Sequence, residues 1–213
     1  MNPRISGVSV PQTELALGAL DAAREALPDY VFRHAMRSFF YGALIGEQRG
    51  TQYDAELLYV AAAFHMIGLA ERYHRSSDRF EIDSANCARR YLQSANVDAV
   101  RCRLVWDAVA LHATPGIADH MSTEIALLSA GVGLGLQGAG YVQFRVDWRE
   151  DVERAFPRGE AFKTKILDFF ARGLHARPET TYGNYGADVL DRADPDFLRR
   201  NFCGAILGAQ WTQ

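Results

Sequence analysis

Apolar and polar residues follow helical spacing along most of this chain, and runs that alternate apolar and polar residues over the length of a strand are missing. Clusters of β-branched residues are also rare. No repeat and no Ser/Pro/Gly-rich linker divides the sequence. The pattern therefore predicts an all-α fold of about eight helices, forming a single domain over residues 1–213.

Helix boundaries are predicted from the residues that start or stop helices. A helix over residues 29–49 is expected to stop at Gly50, and Asp54 is a good N-cap for a helix over residues 55–70. This second helix is apolar on most faces, which indicates a buried central position. Two later helix starts are predicted at Asp83 or Ser84, and at Asp194 with Pro195 after it.

The composition fits a globular protein and excludes several classes of partner. Apolar residues make up 48% of the 213 residues, and the formal net charge of −3 leaves no electrostatic footprint for nucleic acid. The longest apolar stretch, residues 57–70, is too short to span a bilayer, and the N-terminal residues have no apolar secretion signal. The scattered Cys87, Cys102 and Cys203 do not indicate a disulfide framework, so we expect a cytoplasmic protein without a membrane partner.

Three of the six histidines fall inside or at the end of strongly apolar predicted helices, namely His34, His65 and His112. A buried imidazole must be hydrogen-bonded or act as a ligand. A single one would be explained by a hydrogen bond in the core. Three on separate helices indicate a site, because helical bundles build their sites from side chains that point inward from facing helices. These histidines are the candidate catalytic residues.

Five motifs follow one another along most of the chain, from about residue 29 to about residue 188. They are VFRH at 31–34, LLYVAAAFHMIGL at 57–69, RFEIDSAN at 79–86, AVALHAT at 108–114 and PETTYG at 178–183. In order and spacing they resemble the HD-domain metal hydrolases, in particular the branch related to cyanamide hydratase. The resemblance implies a compact HD-like helical bundle with a divalent metal site and water-addition or hydrolysis chemistry.

The sequence departs from this family at two metal ligands. The His-Asp pair that gives the family its name is His65 and Met66 here, and our best alignment places Gly135 where the family's last Asp would be. No acidic residue occurs between residues 125 and 146 in any alignment. His34 and His65 remain as residual metal candidates, but two imidazoles make a weak site and a thioether is a poor ligand for Zn²⁺, Mn²⁺ or Fe²⁺. We therefore expect no cofactor, and a divalent metal ion is the disfavoured alternative.

Three hypotheses for function follow. The leading one is a small-molecule enzyme in which His65 and His34 carry out metal-free acid/base chemistry in a desolvated pocket, for hydration, elimination, isomerisation or hydrolysis. The second is a metal-dependent hydratase or hydrolase in which a third donor such as His112 joins His34 and His65. The third is a non-catalytic HD-like module that binds a ligand or a partner. Phosphohydrolysis is disfavoured because it needs a carboxylate-held metal and a basic cluster, for which the nearby arginines are Arg33, Arg37, Arg72, Arg75 and Arg79.

Loss of charged ligands would make the pocket larger and less polar, which suits an organic substrate of moderate size. A homodimer is the default assembly, since symmetric dimers are the commonest oligomers.

The glycines at 133, 135 and 138 match a dinucleotide-binding pattern but lack the strand that it requires, so they indicate close helix packing or a bare pocket wall. The candidate substrate-binding residues are Met66, Tyr59, Phe39, Trp106 and Gly135.

Overall fold

The computed structural model describes residues 4–211 and confirms the all-α prediction. Within these residues, ten α-helices and one two-stranded hairpin form, against the eight helices expected. The strands are β1 (Arg4–Ile5) and β2 (Val8–Ser9). The helices are α1 (Glu14–Ala26), α2 (Asp29–Arg49), α3 (Ala55–Phe64), α4 (Phe80–Ser94), α5 (Ala99–Leu111), α6 (Thr123–Gln137), α7 (Val146–Ala155), α8 (Phe162–Leu174), α9 (Tyr185–Ala193) and α10 (Phe202–Leu207).

The long helix α2 is the centre of the fold. It packs most extensively against α6 and also contacts α3, while α4 lies along α5 and α8 along α9. Its predicted range is confirmed, and Gly50 ends it in the left-handed conformation at φ +63°. Residues 34–44 of α2 are buried without a break, so water does not solvate the polar side chains of this segment and each unpaired polar atom there is costly.

The seam between α2 and α6 depends on glycine. A Cβ atom on Gly131 would lie 2.1 Å from the carbonyl oxygen of Ser38, and one on Gly42 would lie 2.6 Å from that of Leu127. The two backbones therefore approach more closely than side chains would allow. One turn further along α6, a Cβ on Gly135 would meet the ring of His34 at 3.4 Å and the Ser38 hydroxyl at 3.7 Å, both at ordinary contact distance. The glycines of α6 thus serve close packing at one point and leave room beside a histidine at the next.

The helix predicted over residues 55–70 is shorter than expected. Asp54 caps its start as predicted, but α3 ends at Phe64 and a 3-10 turn follows at Ile67–Leu69. The cause lies on α4, where the Ser84 hydroxyl donates to the carbonyl of His65 and accepts from the amide of Gly68. A Cβ on Gly68 would lie 2.0 Å from the Phe80 carbonyl oxygen, so α4 sits directly against the break. Side-chain hydrogen bonds from α4 therefore replace the helical ones.

Two predicted helix starts are wrong. Helix α4 begins at Phe80, three residues before Asp83, because the Asp83 carboxylate pairs with the buried guanidinium of Arg177 instead of capping a helix. Asp194 follows the end of α9, and the last helix begins only at Phe202, capped by the Asn201 side chain.

The short hairpin was not predicted, because two-residue strands leave no pattern in a sequence. Ser6 and Gly7 turn the chain with positive φ, and the Ser6 hydroxyl donates to Asp151 of α7. All three cysteines are free thiols. A search of residues 4–211 finds no helix with the length and apolar character needed to cross a membrane.

Candidate functional site

The fold brings the three candidate histidines into one row. His34 lies on α2, His65 directly follows α3 and His112 directly follows α5. The ring centroids of His34 and His65 are 5.3 Å apart, and those of His65 and His112 are 5.0 Å apart, both edge to face. All three side chains are buried. Sequence reasoning therefore identified three residues that are direct neighbours, although they are far apart along the chain.

Hydrogen bonds fix the tautomer of each ring. His65 and His112 each end a helix, and each places Nδ1 against the carbonyl three residues earlier, at 2.7 Å from Ala62 O and 2.6 Å from Val109 O. A carbonyl only accepts, so Nδ1 carries the hydrogen in both rings and Nε2 carries the lone pair. His65 Nε2 then accepts from His34 Nε2 at 3.4 Å. This leaves the lone pair of His34 on Nδ1.

Burial keeps the row uncharged. Desolvation lowers the pKa of His65 to about 3, and the neighbouring His112 adds to this effect. Desolvation also holds the pKa of His34 well below its ordinary value, with further lowering by His65 and Arg37. The pKa of His112 is lowered by burial too, but its hydrogen bond to Val109 and the nearby Glu81 carboxylate act in the opposite direction. At neutral pH the three rings are neutral donors and acceptors.

A cavity of about 780 Å³ opens beside one end of this row. His112 and Met66 form part of its wall, and because His112 Nδ1 faces a carbonyl of its own helix, the lone pair on Nε2 points away from that helix. Such a volume suits a small organic molecule with few polar contacts. Its other lining residues include Phe80, Leu134, Phe170 and Tyr185.

The donor set does not fit the divalent metal that the HD resemblance implies. Met66 is fully buried and offers a thioether, and Gly135 places no side chain next to His34. In the part of the chain that the structure describes, no three His, Cys, Asp or Glu side chains are grouped closely enough to hold a metal ion. Three protein ligands are usual even for an open catalytic zinc site.

The remaining predicted substrate-binding residues lie elsewhere. Phe39 and Tyr59 are buried against each other, with ring centroids 4.9 Å apart, in the core between α2 and α3. Trp106 is half-buried on α5 and donates from Nε1 to Asn86 at 3.0 Å. Of the five residues, Met66 contacts the cavity and Gly135 contacts His34. The structure therefore does not bring the five together.

A buried arginine lies at the other end of the histidine row. Arg37 is fully buried one turn after His34, and its guanidinium stacks on the Phe162 ring at 4.8 Å. Arg158 stacks on the same ring at 5.3 Å and donates to the carbonyl of Gly135 at 2.6 Å. From the sequence alone, Arg37 is a candidate only for binding the phosphate group of a substrate. Its position three residues after His34, in an otherwise apolar stretch of α2, was the signal that it shares the histidine's face.

Comparison with protein-family models and with curated proteins gives no significant match for this chain.

Proposed function

We propose that this chain is an enzyme that acts on a small, largely apolar organic molecule by metal-free proton transfer. The observation that carries the proposal is the neutral imidazole of His112 in the wall of the cavity of about 780 Å³. A desolvated imidazole with a free lone pair is a general base, provided that its pKa is not too far below the working pH. The reaction class is hydration, elimination, isomerisation or hydrolysis.

The three histidines are proposed to have different roles. His112 is the acid/base residue, because it lines the cavity and because Glu81 and Val109 oppose the lowering of its pKa. A pKa of about 3 makes His65 a poor base at neutral pH. His65 therefore serves as a positioning residue that packs edge to face against His112. His34 in turn donates a hydrogen bond to His65 and fixes its ring.

The proposed enzyme has an HD-like fold but does not use the divalent metal of the HD family. The five motifs and the helical bundle support an HD-like ancestry, whereas Met66 and Gly135 remove the two carboxylates. The chemistry is assigned to the protein's own imidazoles, since a thioether and two histidines do not make a good site for a hard divalent cation.

The test is a turnover screen with neutral aromatic nitriles, esters and epoxides, on wild type and on two matched variants. His112→Gln removes the base and keeps a polar side chain, while His120→Gln alters an exposed histidine. We expect His112→Gln to lower kcat/KM by about 10²–10⁴-fold and His120→Gln to leave it unchanged. Since the pKa of His112 is lowered, kcat/KM should fall only below pH 6.5 in wild type. Turnover that survives His112→Gln, or that requires added metal, would contradict the proposal.

A non-catalytic binding protein is the second candidate, and burial favours it by lowering the pKa values of all three histidines, including that of His112. It would bind the neutral apolar dye N-phenyl-1-naphthylamine in the cavity without turning over any compound of the screen. Ala113→Phe adds a ring to the cavity wall and should abolish dye binding, whereas Ala99→Phe adds the same ring to the exposed start of α5. If Ala113→Phe leaves the affinity for the dye unchanged, the cavity is excluded as the ligand site.

A further inference from the structure

Three buried polar side-chain atoms have no hydrogen-bond partner among residues 4–211, and all three belong to one turn of α2. They are His34 Nδ1, Arg37 Nε and Arg37 Nη2. Both side chains are fully buried. A buried polar atom without a partner costs about 1–3 kcal/mol, so three of them within one helical turn indicate a place where a ligand supplies the partners.

The two free nitrogens of Arg37 form a specific recognition edge. Arg37 Nη1 donates to the carbonyl oxygen of Phe156 at 2.7 Å, and the guanidinium carbon lies over the Phe162 ring. Nε and Nη2 therefore remain as a pair of parallel donors on one edge of the guanidinium. Two parallel N–H groups match the two oxygens of a carboxylate.

The nearest carboxylate of the chain is already used. Glu153 Oε1 lies 4.0 Å from Arg37 Nε, beyond hydrogen-bond distance, but it accepts from Tyr41 at 2.6 Å and pairs with Arg158 at 2.8 Å. Two guanidinium groups thus face one carboxylate, which leaves one positive charge in excess. Burial and the neighbouring Arg158 lower the pKa of Arg37 to about 10, in line with a cation that lacks a close partner.

The free atom of His34 has the opposite requirement. Its Nδ1 carries a lone pair, because Nε2 donates to His65. A plain carboxylate has no hydrogen to give, so it would satisfy Arg37 and leave His34 without a partner. A ligand that satisfies both residues needs a carboxylate and, next to it, a hydroxyl or N–H group.

We propose that His34, Arg37, Arg158 and Phe162 form a binding site for a small carboxylate that carries an adjacent hydrogen-bond donor, of which glycolate is the smallest probe. Its two carboxylate oxygens accept from Arg37 Nε and Nη2, and its hydroxyl donates to His34 Nδ1. The bound carboxylate balances the excess positive charge of Arg37 and Arg158, and Arg158, a third exposed, is the most exposed of the four residues. We call this the Arg37 site. It is separate from the cavity at Met66 and His112 and goes beyond the function proposed for that cavity.

The test measures binding of glycolate, acetate and inorganic phosphate to the full chain by calorimetry in chloride buffer. Acetate lacks the donor. Phosphate can pair with an arginine and carries an O–H group, but it is tetrahedral, bulkier than a planar carboxylate and largely a dianion at neutral pH. We expect glycolate to bind about tenfold more tightly than acetate, since it alone completes the hydrogen bond to a buried acceptor. Phosphate should not compete with either.

Three variants assign the contacts. Arg37→Lys keeps the charge but removes the parallel donors, and should weaken glycolate and acetate alike by about tenfold or more. His34→Phe keeps the ring shape and should remove the preference for glycolate while acetate still binds. Arg33→Lys, which changes an exposed arginine on the same helix, is the control and should change nothing.

Several results would overturn the Arg37 site: equal affinity for glycolate and acetate, preferential binding of phosphate, or binding that Arg37→Lys leaves unchanged. If Arg37→Lys does not fold, Arg158→Gln takes its place, because Arg158 is only part-buried and its loss should still weaken both carboxylates. Dye binding in the Met66–His112 cavity should be the same in wild type and Arg158→Gln, so failure of one site does not imply failure of the other.

Discussion

Among residues 4–211, two arginines are completely buried, and their surroundings differ. Every nitrogen of the Arg177 guanidinium has a partner: Nε donates to Gly173, Nη1 to the Asp78 carbonyl and the Asp83 carboxylate, and Nη2 to the Gly68 carbonyl. Arg37 makes one hydrogen bond, to Phe156, and within residues 4–211 two of its nitrogens have no partner. Burial alone therefore does not distinguish a structural arginine from one that is available to a ligand, but the hydrogen-bond inventory does.

The difference also explains what each arginine holds in place. Arg177 joins the break after α3, the loop before α4, helix α4 and helix α8 through a single side chain. Arg37 projects from α2 toward α7 and α8, but its hydrogen bond joins α2 only to the backbone directly after α7. We infer that the fold depends on Arg177 and that it tolerates changes at Arg37.

The largest effect is expected for Arg177→Met. The substitution leaves the Asp83 carboxylate buried without its cation and frees three carbonyl groups, and breaking a buried ion pair in this way costs about 3–5 kcal/mol. Urea unfolding of wild type and variant measures the change. A loss below about 1 kcal/mol would remove the distinction between the two arginines.

A second test displaces the segment of α2 that carries Arg37 and does not alter the contacts of Arg177. Gly131→Ala places a methyl group 2.1 Å from the Ser38 carbonyl oxygen and should cost about 1–3 kcal/mol, since two backbones must separate. The matched control is Gly135→Ala, on the same helix, where the methyl group meets side-chain atoms of His34 and Ser38 at 3.4 Å or more. Alanine there should be neutral or stabilise the helix by up to about 1 kcal/mol. Equal effects of the two substitutions would contradict the close approach at Gly131.

Mild acid should weaken the region around Arg37 through the histidine row. The folded pKa values of His34, His65 and His112 lie below the unfolded value of 6.5, so the unfolded chain binds more protons as the pH falls through 6.5 toward 3. Stability is therefore complete above pH 6.5 and is lost below it, by about 1–2 kcal/mol between pH 7 and 6 for the three rings together. Urea unfolding across this pH range measures the loss. His120→Gln should leave it unchanged, and a protein that gains stability on acidification would refute the neutral row.

The smallest effect is expected for Arg37→Met. It removes one hydrogen bond to Phe156 but also relieves two unpaired buried donors, so the two effects oppose each other and the net change should stay within about 1 kcal/mol of zero. The same urea unfolding measurement applies. A loss as large as that of Arg177→Met would show that Arg37 supports the fold and would weaken the case for a ligand.

The sequence predicts those helix boundaries that depend on residues at the boundary itself. Gly50 ends α2 because glycine adopts positive φ without strain, and Asp54 caps α3 with its own carboxylate. The end of α3 at Phe64 could not be predicted, because its cause is the Ser84 hydroxyl on another helix. The sequence likewise predicts a cap at Asp83, because nothing near it in the chain reveals that its partner is Arg177.

The residues of the candidate site likewise fall into those that a local sequence pattern reveals and those that only tertiary contacts reveal. The three histidines could be identified because a polar ring in an apolar helix is visible in one sequence window. The substrate-binding residues could not be selected so well. Phe39 and Tyr59 have the same aromatic character as a pocket wall, and only tertiary contacts show that they pack against each other. The Arg37 site joins α2 to residues more than a hundred positions later, and no local pattern encodes that distance.

The edge-to-face row of three histidines has a thermodynamic consequence. Its rings connect the cavity at His112 to the Arg37 site at His34 without a gap in packing. If an occupant of the cavity changes the affinity of the Arg37 site for a carboxylate by some factor, the carboxylate must change the affinity of the cavity by the same factor. A single measurement of either ligand in the presence of the other therefore determines the coupling in both directions.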